Sequence, residues 1–141
     1  RSSDLDYVVN LTKLKAGDTA YIESEMARIT DICREFSVVS KAIFENCYLT
    51  EDEKKTLCHI ATKVKPDFIK TSTGFGTGGA TFEDVALMKR ETEGSGVKIK
   101  AAGGIRTLKT ALEMINLGVS RIGSTSSVAI MEEYMANSPL L

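Results

Sequence analysis

The stretch Phe68-Ile69-Lys70-Thr71-Ser72-Thr73-Gly74-Phe75 is a short apolar run that ends in a lysine and then breaks into hydroxyls and glycine. Phe68 and Ile69 predict a buried strand, and residues 73–79 are too rich in glycine to continue it. Lys70 is therefore expected at the exit of the strand. In a parallel sheet ligands bind at this end, and a poorly solvated lysine there has a lowered pKa and a nucleophilic amine. A lysine that merely extends its charge to water is the alternative interpretation.

Four more strand patterns surround this one, and each is followed by a helical pattern. The predicted strands are 4–10, 37–44, 68–70, 97–102 and 121–123. Residues 11–17 are expected to be a connector. Helix starts are predicted at Asp18, at Thr50 with a capping box, at Thr81, and in the hydroxyl run 124–127. The expected buried positions are Ile22, Met26, Ile29 and Cys33; Leu57, Ile60, Ala61 and Val64; Val85 and Met88; Ala111, Leu112 and Ile115; and Val128, Met131 and Met135.

Alternation of strand and helix predicts an α/β fold with a parallel sheet, either doubly wound or a (β/α)8 barrel. A doubly wound sheet usually keeps its central strands apolar on both faces. Here one face carries the charged residues Asp6, Lys41, Lys70, Lys98 and Lys100. Charges converging from several parallel strands are typical of a TIM barrel mouth, so we expect the barrel type. A whole barrel needs about 250 residues, so residues 1–141 are interpreted as one domain with about five C-terminal βα units and missing N-terminal strands.

Composition gives no reason to propose several classes of partner. The chain has 141 residues, a hydrophobic fraction of 43% and a formal net charge of -1, so nothing favours nucleic acid or an anionic membrane as a partner. No apolar run approaches the roughly 20 residues of a membrane span, and a cytoplasmic protein is expected. The three cysteines, Cys33, Cys47 and Cys58, lack metal-ligand spacing. They are predicted to be reduced and to have a packing role. His59 is predicted to be a surface or packing residue, and no metal or other cofactor is expected.

Three charged groups carry the predicted chemistry: Lys70, Lys100 and Asp6. Two ammonium groups on neighbouring strands cannot cheaply both stay protonated in a partly desolvated mouth. One pKa therefore falls, and that amine can attack a carbonyl to form an imine. We assign Lys70 as the nucleophile because it leads directly into the hydroxyl and glycine loop. Lys100 is then its cationic neighbour, and Asp6 moves protons directly or through water.

Glycines follow the last two predicted strands and indicate a phosphate site. Gly103-Gly104 and Gly123-Ser124-Thr125-Ser126 stand where barrels bind phosphate through loop amides and a helix N-terminus. Arg106 can add a charge-assisted contact. The alternative is that these glycines only make turns.

Six stretches resemble the deoxyribose-phosphate aldolase family in order along the chain. They are 6–10 (DYVVN), 45–50 (ENCYLT), 68–75 (FIKTSTGF), 78–81 (GGAT), 98–107 (KIKAAGGIRT) and 121–123 (RIG). The resemblance implies a class I aldolase on a (β/α)8 barrel that cleaves 2-deoxy-D-ribose 5-phosphate to D-glyceraldehyde 3-phosphate and acetaldehyde without metal. Ser3-Asp4 stands where the family usually has Asp-Glu, and Ser127 where it tends to have glycine.

The same resemblance implies roles for individual residues. Lys70 forms the Schiff base, Lys100 lowers the pKa of that amine and transfers protons, and Asp6 is the proton donor and acceptor. The implied substrate and phosphate ligands are Lys41, Thr73, Gly74, Gly103, Gly104, Arg106, Gly123, Thr125 and Ser126. An open five-stranded arc exposes two sheet edges, so association or a homo-oligomer is also expected.

Two other functions remain open from the sequence. One is a phosphate-binding barrel remnant whose lysines never reach attack geometry. The other is a barrel isomerase that uses the same phosphate loops without an imine.

Overall fold

The computed structural model describes residues 3–138, so Arg1, Ser2 and the last three residues of the expected 1–141 domain lie outside the description. Strands and helices alternate, with an additional short α-helix near the start and a 3-10 helix at Asn46–Tyr48. The strands are β1 Ser3–Val8, β2 Val38–Ile43, β3 Phe68–Lys70, β4 Lys98–Ala102 and β5 Arg121–Gly123. The helices are α1 Leu11–Lys15, α2 Thr19–Glu35, α3 Glu51–Val64, α4 Phe82–Glu91, α5 Leu108–Asn116 and α6 Ser127–Ala136. All five predicted strands are present.

The strands pair in parallel and in chain order, β1-β2-β3-β4-β5. A doubly wound sheet would reverse its order at a switch point, whereas a barrel keeps each strand beside the next. Consecutive helices also pack against one another, from α2 with α3 through to α5 with α6. The structure is therefore a half-barrel of the TIM type, as predicted.

The two faces of the sheet differ because side chains alternate along each strand. Apolar side chains from β2, β3 and β4 point under the helices and form the core with Leu57, Val85, Met88 and Met114. The opposite, concave face carries Asp6, Lys41, Lys70 and Lys100. Charged groups from four strands consequently converge inside the half-barrel.

Local capping signals set the helix starts that the sequence predicts. The Asp18 side chain accepts a hydrogen bond from the Tyr21 amide at the start of α2, and Thr81 accepts one from Asp84 at the start of α4. Thr50 and Glu53 form the complete capping box of α3. These bonds satisfy amides that have no partner within the first helical turn.

The connector predicted at 11–17 is largely helical in the structure. Asn10 caps the short helix α1 by accepting a bond from the Lys13 amide, and Leu14 packs into the core. In α2 the buried stripe passes through Thr30, while the predicted Ile29 is only partly covered. Both errors are small shifts of helical phase or extent.

The predicted stripes of the last two helices were wrong at most positions. In α6 only Ile130 is buried, whereas Val128, Met131 and Met135 are exposed. In α5, Ala111 and Met114 are buried, but Leu112 and Ile115 are exposed. The described part of the chain has no further helix beyond α6 to cover these side chains, so their helical spacing does not lead to burial.

The remaining outer-surface predictions concern histidine and cysteine. His59 lies on the exposed face of α3 and its Nε2 is 2.8 Å from Oε2 of Glu91 on α4, so the surface assignment is confirmed. Cys33 and Cys58 are buried free thiols, and Cys47 is free and partly exposed. Within residues 3–138, no helix combines the length and apolarity required to cross a membrane.

Candidate active site

The concave face is organised around the Lys41 ammonium. Its side chain is only 4% exposed, and it donates to Asp4 Oδ2 at 2.6 Å and to Asp6 Oδ1 at 3.1 Å. Lys70 Nζ donates to the other Asp6 oxygen at 3.1 Å. Asp6 thus bridges two lysines from neighbouring strands, because β1, β2 and β3 all bring their inward side chains to one surface.

Arg121, on the last strand β5, also joins this hydrogen-bond network. Its guanidinium donates to Asp4 Oδ2 at 2.9 Å and stacks 4.6 Å from the centre of the Phe68 ring. The partners Asp4 and Arg121 are 117 residues apart in sequence and are joined only because the sheet curves. The network therefore ties the first described strand to the last.

Lys70 and Lys100 are register partners on adjacent strands, so the two amines rise from the same height of the sheet. Burial lowers the pKa of the Lys100 ammonium, and the positive charges of Lys41 and Lys70 lower it further. Gly123 gives this side chain room, since a Cβ there would come within 3.1 Å of Lys100 Cε. A lysine with a lowered pKa beside a second lysine can receive and return a proton.

Asp6 has opposing influences on its acidity. Burial raises the pKa of its carboxyl, but the hydrogen bonds from Lys41 and Lys70 outweigh burial and leave the pKa below its ordinary value. The carboxylate is consequently ionised at neutral pH and lies within hydrogen-bond reach of Lys70. It can accept a proton as the chemistry at that amine proceeds.

The segment just beyond Lys70 is hydrogen-bonded to the end of β4 and to the segment that follows β2, its two neighbouring strands. The Thr71 hydroxyl donates to the Ala102 carbonyl and accepts from the Ala102 amide, both at 3.1 Å. On the other side the Asn46 amide donates to the Thr71 carbonyl at 2.9 Å. Lys70 therefore leaves a strand end that is fixed to both neighbouring strands.

A cavity of about 380 Å³ opens next to Lys70 at the carboxyl end of the sheet. Its lining residues are Lys70, Thr73, Gly74, Ala102, Gly103, Gly104, Ile105, Arg106, Gly123, Ser124 and Thr125. Gly103 and Gly104 have φ of 90° and 74°, a conformation that favours glycine. The cavity combines a lysine, an exposed arginine and a glycine-rich backbone, which suits an anion.

Two loops cross at the side of this cavity without space for a side chain. A Cβ on Gly79 would lie 2.3 Å from the Gly103 carbonyl oxygen, and the next residue, Ala80, donates its amide to that oxygen at 3.0 Å. The loop after β3 is thereby packed closely against the loop after β4 and hydrogen-bonded to it. The glycines near the cavity thus have a packing role in addition to the predicted ligand role.

Three predicted ligands stand in different surroundings from the rest. Lys41 lies deeper, at the level of Asp6 and Phe68 in the strand register, and its charge is already paired. Thr73 donates both its amide and its hydroxyl to Glu45. Ser126 is in the N-cap position of α6 but its side chain makes no capping hydrogen bond; its amide donates to Ser124 Oγ, and it lies outside the cavity lining. The predicted binding set is therefore only partly brought together.

Sequence reasoning missed Asp4, Arg121 and Glu45 as members of the site. Asp4 shares a strand face with Asp6, and Arg121 opens β5, so strand parity could have indicated both. Glu45 lies two residues after the end of β2, but its contact with Thr73 joins residues 28 positions apart, which no local pattern reveals.

The sequential parallel strands, with charged side chains at their carboxyl edge, define the class of fold, an α/β-barrel of the TIM type. The chain belongs to the DeoC/LacD family of aldolases, whose model matches residues 3–125. This finding agrees with the resemblance in the six sequence stretches.

Similar proteins give the same assignment. The deoxyribose-phosphate aldolase of Lactobacillus acidophilus is 53% identical over 131 residues, covering 93% of this chain and 55% of that protein. The solved structure of QR15, an aldolase, matches with a TM-score of 0.87 at 41% identity, over 99% of this chain and 62% of that one. The tetrameric deoxyribose phosphate aldolase of Aeropyrum pernix matches with a TM-score of 0.82 at 26% identity, over 96% and 56%. The chain spans little more than half the length of such relatives.

Proposed function

We propose that the chain carries the site of a Schiff-base aldolase that reversibly cleaves 2-deoxy-D-ribose 5-phosphate, in the breakdown of deoxyribonucleotides. The observation that carries the proposal is the position of Lys70, hydrogen-bonded to Asp6, level with Lys100 and on the edge of the anion-suited cavity. Aldolase chemistry needs an amine, a proton acceptor and a fixed phosphate in that proximity.

The steps follow from these groups. The neutral Lys70 amine adds to the C1 aldehyde of the open-chain sugar, and loss of water leaves a protonated imine. Asp6, acting directly or through water, takes the proton of the C3 hydroxyl while the C2–C3 electron pair moves into the imine. Glyceraldehyde 3-phosphate leaves, and the enamine is reprotonated at C2. Water then releases acetaldehyde and regenerates Lys70.

Lys100 is proposed to exchange protons with the Lys70 amine. Because its pKa is lowered, Lys100 gives up its proton more readily than a free lysine, and it can then take over a proton from the Lys70 amine during imine formation. It then returns the proton as the carbinolamine loses water. The substrate's phosphate is proposed to bind Gly74, Gly103, Gly104, Gly123 and Thr125 together with Arg106. Lys41 and Thr73 are proposed to support the site through their hydrogen bonds to Asp6 and Glu45.

The same proposal covers the setting of the protein. We infer a cytoplasmic enzyme that acts on small phosphorylated sugars and aldehydes without a cofactor, and that has neither nucleic acid nor membrane as a partner. A homo-oligomer is also proposed, since a related aldolase forms a tetramer.

The test is reductive trapping. The protein is incubated with deoxyribose 5-phosphate and borohydride and its intact mass is measured, and released acetaldehyde is measured in a parallel reaction without borohydride. We expect one covalent adduct in the parent and none in Lys70→Arg, because arginine is too basic to attack a carbonyl. Phosphate binding without any adduct would instead support the non-catalytic remnant. Turnover of a sugar phosphate without an adduct would support the isomerase.

A further inference from the structure

Glu45 is a nearly buried acidic side chain that the proposed chemistry does not use. It is 5% exposed and lies two residues after the end of β2. Its backbone lies in the left-handed region, with φ of 55° and ψ of 58°. A residue other than glycine is uncommon there, and such conformations persist where surrounding contacts hold them. The contacts of Glu45 should therefore explain its position.

Those contacts lead to the loop that follows Lys70. Glu45 Oε1 accepts the Thr73 amide at 3.1 Å, and Oε2 accepts the Thr73 hydroxyl at 2.5 Å. The Thr73 hydroxyl in turn accepts the Phe75 amide at 3.1 Å. Both carboxyl oxygens and both Thr73 donors are thus used within one chain of hydrogen bonds.

The residue between these tied amides is Gly74. Within residues 3–138 its amide has no protein acceptor, and it lines the cavity beside Gly103 and Gly104. Its φ of 94° is a conformation that a side chain would strain. The loop also stays close to Glu45 further on, because a Cβ on Gly76 would come within 3.3 Å of the Glu45 carboxyl carbon.

We propose that Glu45 is the positioning residue of the phosphate site: it ties back Thr73 and, through Thr73, Phe75, so that the Gly74 amide is presented to the phosphate. The inference deepens the proposed function and rests on it. It also gives Thr73 a different role from the ligand role that the resemblance implies. Thr73 links Glu45 to the loop. Both of its hydrogen-bond donors are already used, so it has none left for the substrate.

The test uses inorganic phosphate as the probe and compares it with acetaldehyde, which has no phosphate. Glu45→Gln keeps the shape but places an amide NH₂ where an oxygen accepted a bond. We expect phosphate affinity to fall about tenfold, as for the loss of one charge-assisted bond. Borohydride trapping of acetaldehyde on Lys70 should stay within about twofold of the parent, because that aldehyde does not use the loop.

Two variants at Thr73 check the same chain of bonds. Thr73→Val removes the hydroxyl and should weaken phosphate binding like Glu45→Gln, and it carries the test if that variant does not fold. Thr73→Ser retains the hydroxyl and should restore affinity. Glu91→Gln, on α4 beside His59, makes the same change of charge far from the cavity and should leave phosphate affinity unchanged.

Amide exchange gives a readout that needs no catalysis. The Thr73 and Phe75 amides should exchange faster in Glu45→Gln than in the parent, since their acceptors are disturbed. Unchanged phosphate affinity in Glu45→Gln and Thr73→Val, an equal loss of acetaldehyde trapping, or no phosphate binding by the parent would each overturn the inference. A parent that binds phosphate but forms no Lys70 adduct would overturn the proposed function alone.

Discussion

Lys100 shows how a single residue can be costly for stability and useful for chemistry. Its side chain is surrounded by Lys41, Lys70 and Arg121, and these like charges add to burial in lowering its pKa. Asp6 opposes the effect only in part. An amine in these surroundings loses its proton more easily than a free lysine, which suits proton exchange with Lys70.

This arrangement predicts a pH-dependent stability. The folded-state pKa of Lys100 lies below its ordinary value of 10.5, so the unfolded chain binds the proton more readily. The cost is complete at pH values below the folded pKa and fades as pH rises towards 10.5. Lys100→Leu should therefore be more stable than the parent at pH 7, with an advantage that shrinks at higher pH.

Urea denaturation at several pH values measures this difference. Lys109→Leu, on the exposed surface of α5, is the matched control for replacing a lysine by leucine. A Lys100→Leu advantage that is constant from pH 7 to higher pH would show that apolar burial, and not the charge, causes it.

At the scale of elements, the crossing of the loops after β3 and β4 holds the cavity together. The Gly79 and Gly103 backbones are too close for any side chain at Gly79. Gly79→Ala should force the loops apart, break the bond from the Ala80 amide to the Gly103 carbonyl and weaken phosphate binding by about tenfold or more.

Gly78→Ala is the neighbouring control. A Cβ there would meet only the Cys47 Cβ, at 3.3 Å, which a shift of a few tenths of an ångström relieves. Phosphate titration by calorimetry compares the two variants. Equal affinity in Gly79→Ala and the parent would mean that the cavity does not depend on the crossing.

The elements also show what the sequence could predict. Strands and caps depend on neighbouring residues, so Thr50, Thr81 and the run at Phe68 were sufficient to locate α3, α4 and β3. The buried faces of α5 and α6 depend on which elements lie against them, and helical spacing alone does not contain that information. This is why Met131 and Met135 were wrongly expected in the core.

The same distinction applies to the site. The convergence of Lys70, Lys100 and Asp6 on one face was predictable because strand parity and strand ends place inward residues in a parallel sheet. The bonds from Arg121 to Asp4 and from Glu45 to Thr73 join distant parts of the chain. They depend on the curvature of the sheet and on the path of a loop, which no local pattern encodes.

For the whole molecule, the described half-barrel leaves apolar surface on its outer strands and helices. On β1, Leu5 and Val8 are 44% and 41% exposed. At the other end, a groove of about 450 Å³ is lined by Ile115, Ile122 and Met131 among other residues of β5, α5 and α6. Unpaired strand edges next to apolar surface favour association.

We therefore expect the chain to self-associate as its concentration rises. Sedimentation velocity at increasing concentration measures this, and Met131→Lys should reduce association because it places a charge in the groove. Glu132→Lys is a control at the next position of α6, where the side chain is already charged and exposed. A chain that stays monomeric throughout, or that is equally affected by both variants, would contradict the expectation.

The central claim is that Lys70, and not its partner Lys100, forms the imine. The direct measurement is peptide mapping by mass spectrometry after borohydride reduction with deoxyribose 5-phosphate, which assigns the adduct to one of the two lysines. We predict a reduced adduct on Lys70, still present at that residue in Lys100→Leu at a pH high enough to free the amine. An adduct on Lys100 in the parent, where the lowered pKa lies, would contradict the account.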